Sequence, residues 1–308
     1  MQTPWGSLAV SDAHVHFLSH GLFTTLASQS RTLPKETAPE TIQQMLGWYP
    51  PVEPERLAEE WVRELDRHQV ARAALIASVP GDESSVVAAI RSHPDRFHGY
   101  FMLNPLAPDA LDRTGAALQA GMKGVCLFPA MQRFSIADER LEPLLQLAAG
   151  VKGAIVFVHC GVLSVGIRKR LGVPSPFDMR YSNPIDLHPV ALRHPGARFV
   201  IPHFGAGYFR EALMVCDLCP NVYLDTSSTN GWTRYHTPAL SLAGVFQRAL
   251  EVAGPQRLLF GSDSSLFPRG WHARIFTEQA ETLQHIGISG ADAAKIFGGN
   301  LERMMSGD

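Results

Sequence analysis

Two histidines near the amino terminus have the spacing of a metal-ligand pair. His14 and His16 end a segment of strand-forming residues that begins at Leu8. Alternate residues of a β-strand point to the same face, roughly 7 Å apart along the chain, so these two imidazoles would project side by side. Imidazole nitrogen is a common ligand of zinc and other divalent ions. The pair therefore indicates one part of a metal site.

Three more polar residues follow apolar, strand-like segments later in the chain. They are His159, His203 and Asp263. Burying such a group without a partner is costly, whereas one shared cation would satisfy several of them at once. Imidazole nitrogens together with an aspartate oxygen give a mixed environment that suits a divalent ion, most often zinc. We therefore predict a metal site assembled from the ends of four strands.

The predicted secondary structure alternates between strands and helices. One helical stripe recurs at Leu57, Trp61 and Leu65, as expected of an amphipathic helix. Strands that alternate with helices predict a parallel sheet, and eight such units predict one closed (β/α)8 barrel, or TIM barrel, spanning residues 1–308. An open doubly wound sheet is the alternative, but the Gly-x-Gly-x-x-Gly loop typical of it is absent after the early strands. The strand candidates are residues 8–17, 71–79, 96–104, 122–128, 154–161, 198–205, 222–227 and 257–263.

Two connections are longer than the others. Residues 18–53 follow the first predicted strand, and residues 162–185 follow the fifth. Both leave the carboxyl ends of strands, which is the end of a (β/α)8 barrel that carries the active site. We expect these segments to form lids or substrate walls, with ordinary surface loops as the alternative.

Composition narrows the class of protein. The chain has 308 residues, of which 45% are hydrophobic, and a net charge of −2. This balance lacks the positive charge that holds nucleic acid or an anionic membrane, and no apolar run approaches the roughly 18 residues of a membrane span. The amino terminus lacks a signal-peptide pattern, and four cysteines do not suggest a disulfide framework. We therefore expect a cytoplasmic protein that acts on a small molecule, with no nucleic-acid or membrane partner.

The order of these motifs resembles the amidohydrolase superfamily, and in particular its amidohydrolase-2 branch. The likeness extends over residues 8–303 and is specific for the superfamily, although not for a substrate. The branch includes aminocarboxymuconate-semialdehyde decarboxylase and γ-resorcylate decarboxylase as well as hydrolases. The residues that carry the resemblance are Asp12, His14, His16, His159, His203, the Gly261-Ser262-Asp263 step and the closing segment 296–303.

The resemblance implies a role for each of these residues. One metal ion, zinc or alternatively manganese, would be held by His14, His16, His159 and Asp263. Asp263 would also move a proton from the attacking water. His203 would act as an acid or base, or would orient the water or the substrate, without necessarily binding the metal. The family also implies that the chain can form a homodimer.

Two further residues bear on the number of metal ions. Members of the family with two ions use a carbamylated lysine from the fourth strand as a bridge. Lys123 is the nearby candidate, but it lies at the start of its strand and not at the carboxyl end. We therefore expect a single ion. Asp12 would lie deeper in the barrel than His14, and we expect it to support the site without binding the metal.

Two chemistries suit such a site. The first is hydrolysis, in which a metal-bound water attacks the carbonyl of an amide, a lactone or a related compound. The second is non-oxidative decarboxylation of a small unsaturated or aromatic carboxylic acid, with Asp263 or His203 delivering a proton to carbon. We expect a hydrolase, with the decarboxylase as the alternative. A barrel that keeps its metal for structure alone is a third hypothesis.

An acidic substrate would need basic groups at the carboxyl ends of the strands. The arginines that follow the fourth to the seventh predicted strands, and that we expect to supply substrate-binding groups, are Arg133, Arg168, Arg210 and Arg234. The seventh loop also contributes side chains that would line the pocket, namely Asn230, Trp232, Tyr235 and His236.

Overall fold

The chain folds as a (β/α)8 TIM barrel, as the alternation of strands and helices predicted. A computed structural model describes residues 1–29, 34, 37–175, 177–227 and 231–307. Eight parallel strands lie side by side in chain order. They are β1 (Val10–Phe17), β2 (Val70–Ala77), β3 (Phe97–Leu103), β4 (Gly124–Leu127), β5 (Ile155–Val158), β6 (Arg198–Ile201), β7 (Val222–Asp225) and β8 (Leu258–Leu259). Each falls within, or within one residue of, its predicted segment.

The barrel closes where β1 meets the segment that follows β8. The Ala13 N–H donates to the Phe260 carbonyl at 2.8 Å, and the Asp263 N–H donates to the His14 carbonyl at 3.0 Å. The His16 N–H donates to the carbonyl of Ser264 at 2.7 Å. These backbone bonds place the first and last candidate metal ligands next to one another.

The helices cover the outside of the barrel. In the described residues they are α1 (His20–Gln29), α2 (Pro39–Leu46), α3 (Pro54–Arg67), α4 (Glu83–Ser92), α5 (Ala110–Gln119), α6 (Pro129–Gln132), α7 (Glu142–Ala149), α8 (Gly166–Arg170), α9 (His188–Arg193), α10 (Phe209–Leu218), α11 (Leu242–Ala253), α12 (Ala273–His285), α13 (Gly290–Ala294) and α14 (Asn300–Ser306). The predicted stripe of Leu57, Trp61 and Leu65 is buried on α3, where it packs against the sheet.

Buried apolar side chains of the described residues form three clusters. The largest lies between the sheet and the helices. A second fills the barrel interior and includes Leu301, Met304 and Met305 of α14. The third is separate from the barrel and joins α1 and α2 to α8 and its neighbour Leu171. We call α1, α2 and α8, which belong to the two long connections, the lid.

The ends of two predicted strands differ from expectation. Residues Pro202–Gly205 form a short 3-10 turn, and the backbone beyond Leu259 leaves the strand ladder. A strand cannot continue through His203 or Asp263, because both have positive φ values, 55° and 57°. No helix of the described residues is both long and apolar enough to cross a membrane.

Candidate metal centre

Three of the predicted ligands converge at the carboxyl end of the barrel. His14, His16 and Asp263 each bring one ligand atom within 4.8 Å of the others. The Nε2 atoms of His14 and His16 are 3.4 Å apart. The Oδ1 atom of Asp263 lies 3.2 Å from Nε2 of His16 and 3.7 Å from Nε2 of His14.

The side chain of Asp225, at the end of β7, orients His14. Its Oδ2 atom lies 2.6 Å from Nδ1 of His14. An ionised carboxylate can only accept, so Nδ1 carries a proton, and Nε2 presents a lone pair to the cavity when the ring gives up its second proton. Burial alone would lower the pKa of His14, but Asp225 outweighs burial and raises that pKa to about 9.

Ser78 orients His16 in the same way. The Ser78 hydroxyl donates to the Ile76 carbonyl at 3.0 Å, and Nδ1 of His16 lies 2.7 Å from the same hydroxyl oxygen. Because the single proton of Ser78 is already used, Nδ1 of His16 is the donor. Its Nε2 atom then presents a second lone pair to the cavity.

His159 lies beside this group and not within it. Its ring stacks on Phe128 with centroids 5.4 Å apart, and it meets the His203 ring edge-on at 5.3 Å. Its Nδ1 atom is buried and has no hydrogen-bond partner among the described residues. Burial, together with the positive character of His203 and His14, holds the pKa of His159 well below its usual value. The ring is therefore neutral, which is the state that binds a metal.

His203 is held by the backbone and the side chain of Ser227. Nδ1 of His203 donates to the Ser227 carbonyl at 2.9 Å, so its Nε2 atom carries a lone pair when the ring is neutral. The Ser227 hydroxyl oxygen lies 2.9 Å from this nitrogen and 3.0 Å from Nδ1 of His14. Burial lowers the pKa of His203 against the raising effect of Asp263.

The backbone at two candidate catalytic residues is left-handed. His203 has φ 55° and Asp263 has φ 57°. Non-glycine residues adopt this region at a cost and persist there only when the surrounding structure enforces it, which is common at functional sites. The hydrogen bond from the Asp263 N–H to His14 is one such constraint.

Asp263 is ionised in this setting. Burial would raise the pKa of its carboxyl group, but the neighbouring imidazoles of His16, His14 and His203 lower that pKa far below its usual value. Both of its oxygens are therefore able to accept a proton or bind a cation.

Asp12 lies beneath the site and does not point into it. Its Oδ1 atom accepts from the N–H groups of His14 and Ser262, at 2.9 and 3.0 Å, and its Oδ2 atom accepts from Nε1 of Trp271 at 2.7 Å. Complete burial raises its pKa to about 6, although these hydrogen bonds oppose the rise. Asp12 thus supports the backbone on both sides of the candidate ligands.

The residues present fit a divalent cation. Two imidazole lone pairs and a carboxylate oxygen converge, and the other nitrogen of each ring is held by Asp225 or Ser78, the arrangement typical of metal-ligating histidines. The orphaned Nδ1 of His159 is a further unsatisfied imidazole atom beside the group. Lys123 lies before β4 at the opposite end of the strand, where its Nζ atom donates to the Lys152 carbonyl at 2.8 Å.

A cavity of about 620 Å³ opens above the candidate ligands. Both long connections line it, the first through α1 and the second through α8, as expected for lids or substrate walls. Trp232 and Tyr235 of the seventh loop line the cavity too, whereas Asn230 lies outside the described residues and His236 is not among the lining residues.

The predicted substrate-binding arginines separate into two groups. Arg168 and Arg234 line the cavity. Arg133 is exposed and does not line it, and Arg210 is 77% exposed and pairs with Glu211 at 2.6 Å. A residue that follows a strand at the carboxyl end of the barrel can still direct its side chain away from the cavity.

Sequence reasoning missed several residues of the site. Asp225 ends β7 in the same way as His159 and Asp263 end their strands, so the same rule would have found it. Arg170 and Arg269 also line the cavity. Their signal was weaker, because an arginine in a loop is usually solvated. Ser78 and Ser227 carried no signal that separates them from other serines.

We predict that the purified protein carries about one equivalent of zinc or manganese, and that a His14→Ala/His16→Ala variant carries none. Removing the ion should lower the melting temperature of the wild-type protein, because a ligand that binds only the native state stabilises it by mass action. Elemental analysis and thermal melts before and after chelation measure both. Two equivalents would make Lys123 a ligand candidate again, and an unchanged melt after complete stripping would contradict a well-formed site.

We also predict a pH-dependent effect of Asp225→Asn on the metal-free protein. The pKa of His14 is raised from 6.5 to about 9 in the folded state, so this pair stabilises the fold fully below pH 6.5 and loses its effect as the pH rises through about 9. The difference in unfolding free energy between wild type and Asp225→Asn should therefore be largest at pH 6 and should shrink by pH 10. Urea titrations at these pH values measure it.

The surface pair of Asp66 and Arg96 supplies the control for that experiment. Their side chains meet at 2.7 Å, and that of Asp66 is mostly exposed. The loss of unfolding free energy caused by Asp66→Asn should be the same at pH 6 and at pH 10. An Asp225→Asn effect of equal size at both pH values would show that the hydrogen bond acts on packing and not on the charge of His14.

Comparison with solved structures places the fold among known barrels. An uncharacterised TIM-barrel protein from Bordetella bronchiseptica is 21% identical with a TM-score of 0.66, and the match covers 97% of this chain and 99% of that one. A probable 2-pyrone-4,6-dicarboxylic acid hydrolase from Acinetobacter baumannii, with citric acid bound, is 16% identical with a TM-score of 0.62 and the same coverage. An amidohydrolase from Burkholderia multivorans with bound zinc is 15% identical with a TM-score of 0.59, and the match covers 96% and 99% of the two chains.

Sequence comparison gives the family. No curated protein matches this chain. The sequence profile of the amidohydrolase family, whose members are metal-dependent, matches residues 11–305, which is nearly the whole chain. The match covers all eight barrel strands apart from the first residue of β1, and it includes all of the converging residues described above. The chain therefore belongs to the amidohydrolase family.

Proposed function

We propose that the protein is a hydrolase that uses one divalent metal ion, zinc or alternatively manganese, to cleave the ester, lactone or amide bond of a small carboxylate-bearing compound. The observation that carries this proposal is the convergence of Nε2 of His14, Nε2 of His16 and the Asp263 carboxylate on the floor of the cavity. The relative named as a 2-pyrone-4,6-dicarboxylic acid hydrolase supports hydrolysis as the reaction.

The chain supplies groups for each proton transfer. A divalent cation bound by His14, His16 and Asp263, with His159 adjacent, would polarise the scissile carbonyl and lower the pKa of the attacking water. The Asp263 carboxylate is ionised and would accept a proton from the attacking water. His203, whose Nε2 carries a lone pair when the ring is neutral, would take this proton from Asp263 and donate it to the leaving group.

Arginines of the cavity support an anionic substrate. Arg234 and Arg269 line the cavity, and within the described chain neither of them pairs with a carboxylate. Arg269 donates to the Ser265 hydroxyl at 2.8 Å and to the Asp263 carbonyl at 3.4 Å, which places its guanidinium close to the candidate ligands. A guanidinium forms its strongest hydrogen bonds with carboxylates and phosphates. The citric acid bound to the Acinetobacter baumannii relative is consistent with a carboxylate ligand.

Reaction in water labelled with oxygen-18 tests the reaction class. A panel of lactones and aryl esters of small dicarboxylic acids should yield product acids that carry the label, without release of carbon dioxide. His203→Gln and Asp263→Asn should each lower kcat by about 100-fold to 10,000-fold, the range of a general acid or base. His203→Gln should retain its metal. Carbon dioxide release without labelling would instead support the decarboxylase, and full activity in Asp263→Asn would contradict both.

Replacing an arginine tests the substrate charge. We expect Arg269→Gln to raise KM for a carboxylate substrate by at least 10-fold while kcat changes little, since a charge-assisted hydrogen bond contributes about 1.5–3 kcal/mol. Steady-state kinetics on the hydrolysed member of the panel measure this. Arg210→Gln is the matched control, because Arg210 pairs with Glu211 outside the cavity, and its KM should equal that of the wild type. Equal effects of the two variants on KM would contradict the binding of the substrate carboxylate by Arg269.

We propose that the protein is located in the cytoplasm. The four cysteines are free and buried, which is compatible with the reducing cytoplasm that their small number predicted.

A further inference from the structure

One wall of the cavity is apolar. We call it the lid wall, and it consists of Leu18, Leu22, Leu26, Val79, Ile167 and Leu266. These side chains line the same cavity as the candidate metal ligands, and all belong to the cluster that joins the lid helices. The wall therefore faces the reaction site, although it is built apart from the barrel core.

The lid wall has its own support behind it. Phe23, Ile42 and Trp48 are buried in the same cluster, and the Phe23 and Trp48 rings meet with centroids 5.3 Å apart. Leu22 and Leu26 are one helical turn apart on α1, so they present one face, and they are 8% and 4% exposed. This packing gives the cavity a fixed apolar surface.

The lid arginines do not convert this wall into a charged one. Arg168 donates to the Pro174 carbonyl at 2.6 Å, and Arg170 donates to the Leu46 carbonyl at 3.4 Å. Both guanidiniums thus make hydrogen bonds to backbone carbonyl groups of the two long connections. The six side chains of the lid wall itself carry no polar group that could satisfy a second carboxylate.

The size of the cavity agrees with a ligand larger than a compact acid. Its volume of about 620 Å³ lies in the range of pockets that enclose drug-sized molecules. A compound that occupied only the metal end would leave the lid wall in contact with water. Covering apolar surface is favourable in proportion to the area removed from water.

We propose that the substrate carries, besides its carboxylate, an apolar chain or ring of several carbon atoms that lies against the lid wall. This inference rests on the proposed function for the position of the reacting group. It makes Leu22 and Leu26 specificity-determining residues, since they provide one helical face of the wall. It also predicts that the second half of the substrate is uncharged.

Binding of a homologous series of fatty acids to the zinc-loaded protein tests the proposal. Butanoate, hexanoate and octanoate should bind with a dissociation constant that falls about threefold to fourfold for each added methylene, as measured by isothermal titration calorimetry. Octanedioate should bind more weakly than octanoate, because its second carboxylate would lie against the wall. Equal affinities for butanoate and octanoate, or tighter binding of octanedioate, would overturn the proposal.

Substitutions of Leu26 on α1 test whether the dependence of affinity on chain length arises at the lid wall. Leu26→Trp should reduce octanoate binding at least 10-fold while leaving butanoate binding within twofold of the wild type. Leu26→Ala should extend the chain-length dependence to decanoate, which gives a second test if the larger residue disturbs folding. Leu218→Trp, at an exposed position of α10, is the control and should leave the whole series unchanged. A uniform loss across all chain lengths in Leu26→Trp would contradict a specificity role.

The readout separates this proposal from the proposed function. Heat of binding is measured without turnover, so a protein that hydrolyses no tested compound can still show the chain-length dependence. Conversely, hydrolysis of short and long substrates with equal kcat/KM would leave the reaction intact and overturn only the role of the lid wall.

Discussion

Asp12 is a single buried carboxylate at the seam where the barrel closes. Closure is demanding here, because β8 has only two residues in the strand ladder. Asp12 accepts hydrogen bonds from the backbone of His14 on one side of the seam and from Ser262 on the other, and a third from Trp271. The convergence of His14 and His16 with Asp263 depends on this link, since the residues come from opposite ends of the chain.

The site combines ionised carboxylates with buried imidazoles, and each pKa follows from the nearest partner. Burial alone would favour the neutral form of every group. Asp225 and His14 lie 2.6 Å apart and stabilise each other's charges, so burial does not prevail there. His159 stacks on Phe128 and lacks such a partner, and burial keeps it neutral. The two histidines therefore differ in protonation although both are buried in one site.

The sequence was sufficient for the fold and for the convergence of His14, His16 and Asp263, although Asp225 at the end of β7 was missed. The two-residue period of a strand predicted the pairing of His14 with His16, and the closure of a barrel brought Asp263 to them. It was not sufficient for loop side chains: Arg210 turns to its neighbour Glu211, whereas Arg269 points to the site. Such directions depend on local hydrogen bonds that periodicity does not encode. The position of His159 outside the closest group also depends on packing, in this case against Phe128.

The barrel and the lid divide the structural tasks between them. His14 and His16 lie on β1, and backbone hydrogen bonds across the closure of the barrel hold the segment of Asp263 beside them. The lid has its own apolar cluster, which joins α1 and α2 to α8 and includes Leu18, Val79 and Leu266 from the segments after β1, β2 and β8. A surface that can change without moving the metal ligands is suited to selecting the substrate. The motifs at the strand ends lie on the barrel and the apolar wall lies mainly on the lid, so the motifs carry no information about the shape of that wall.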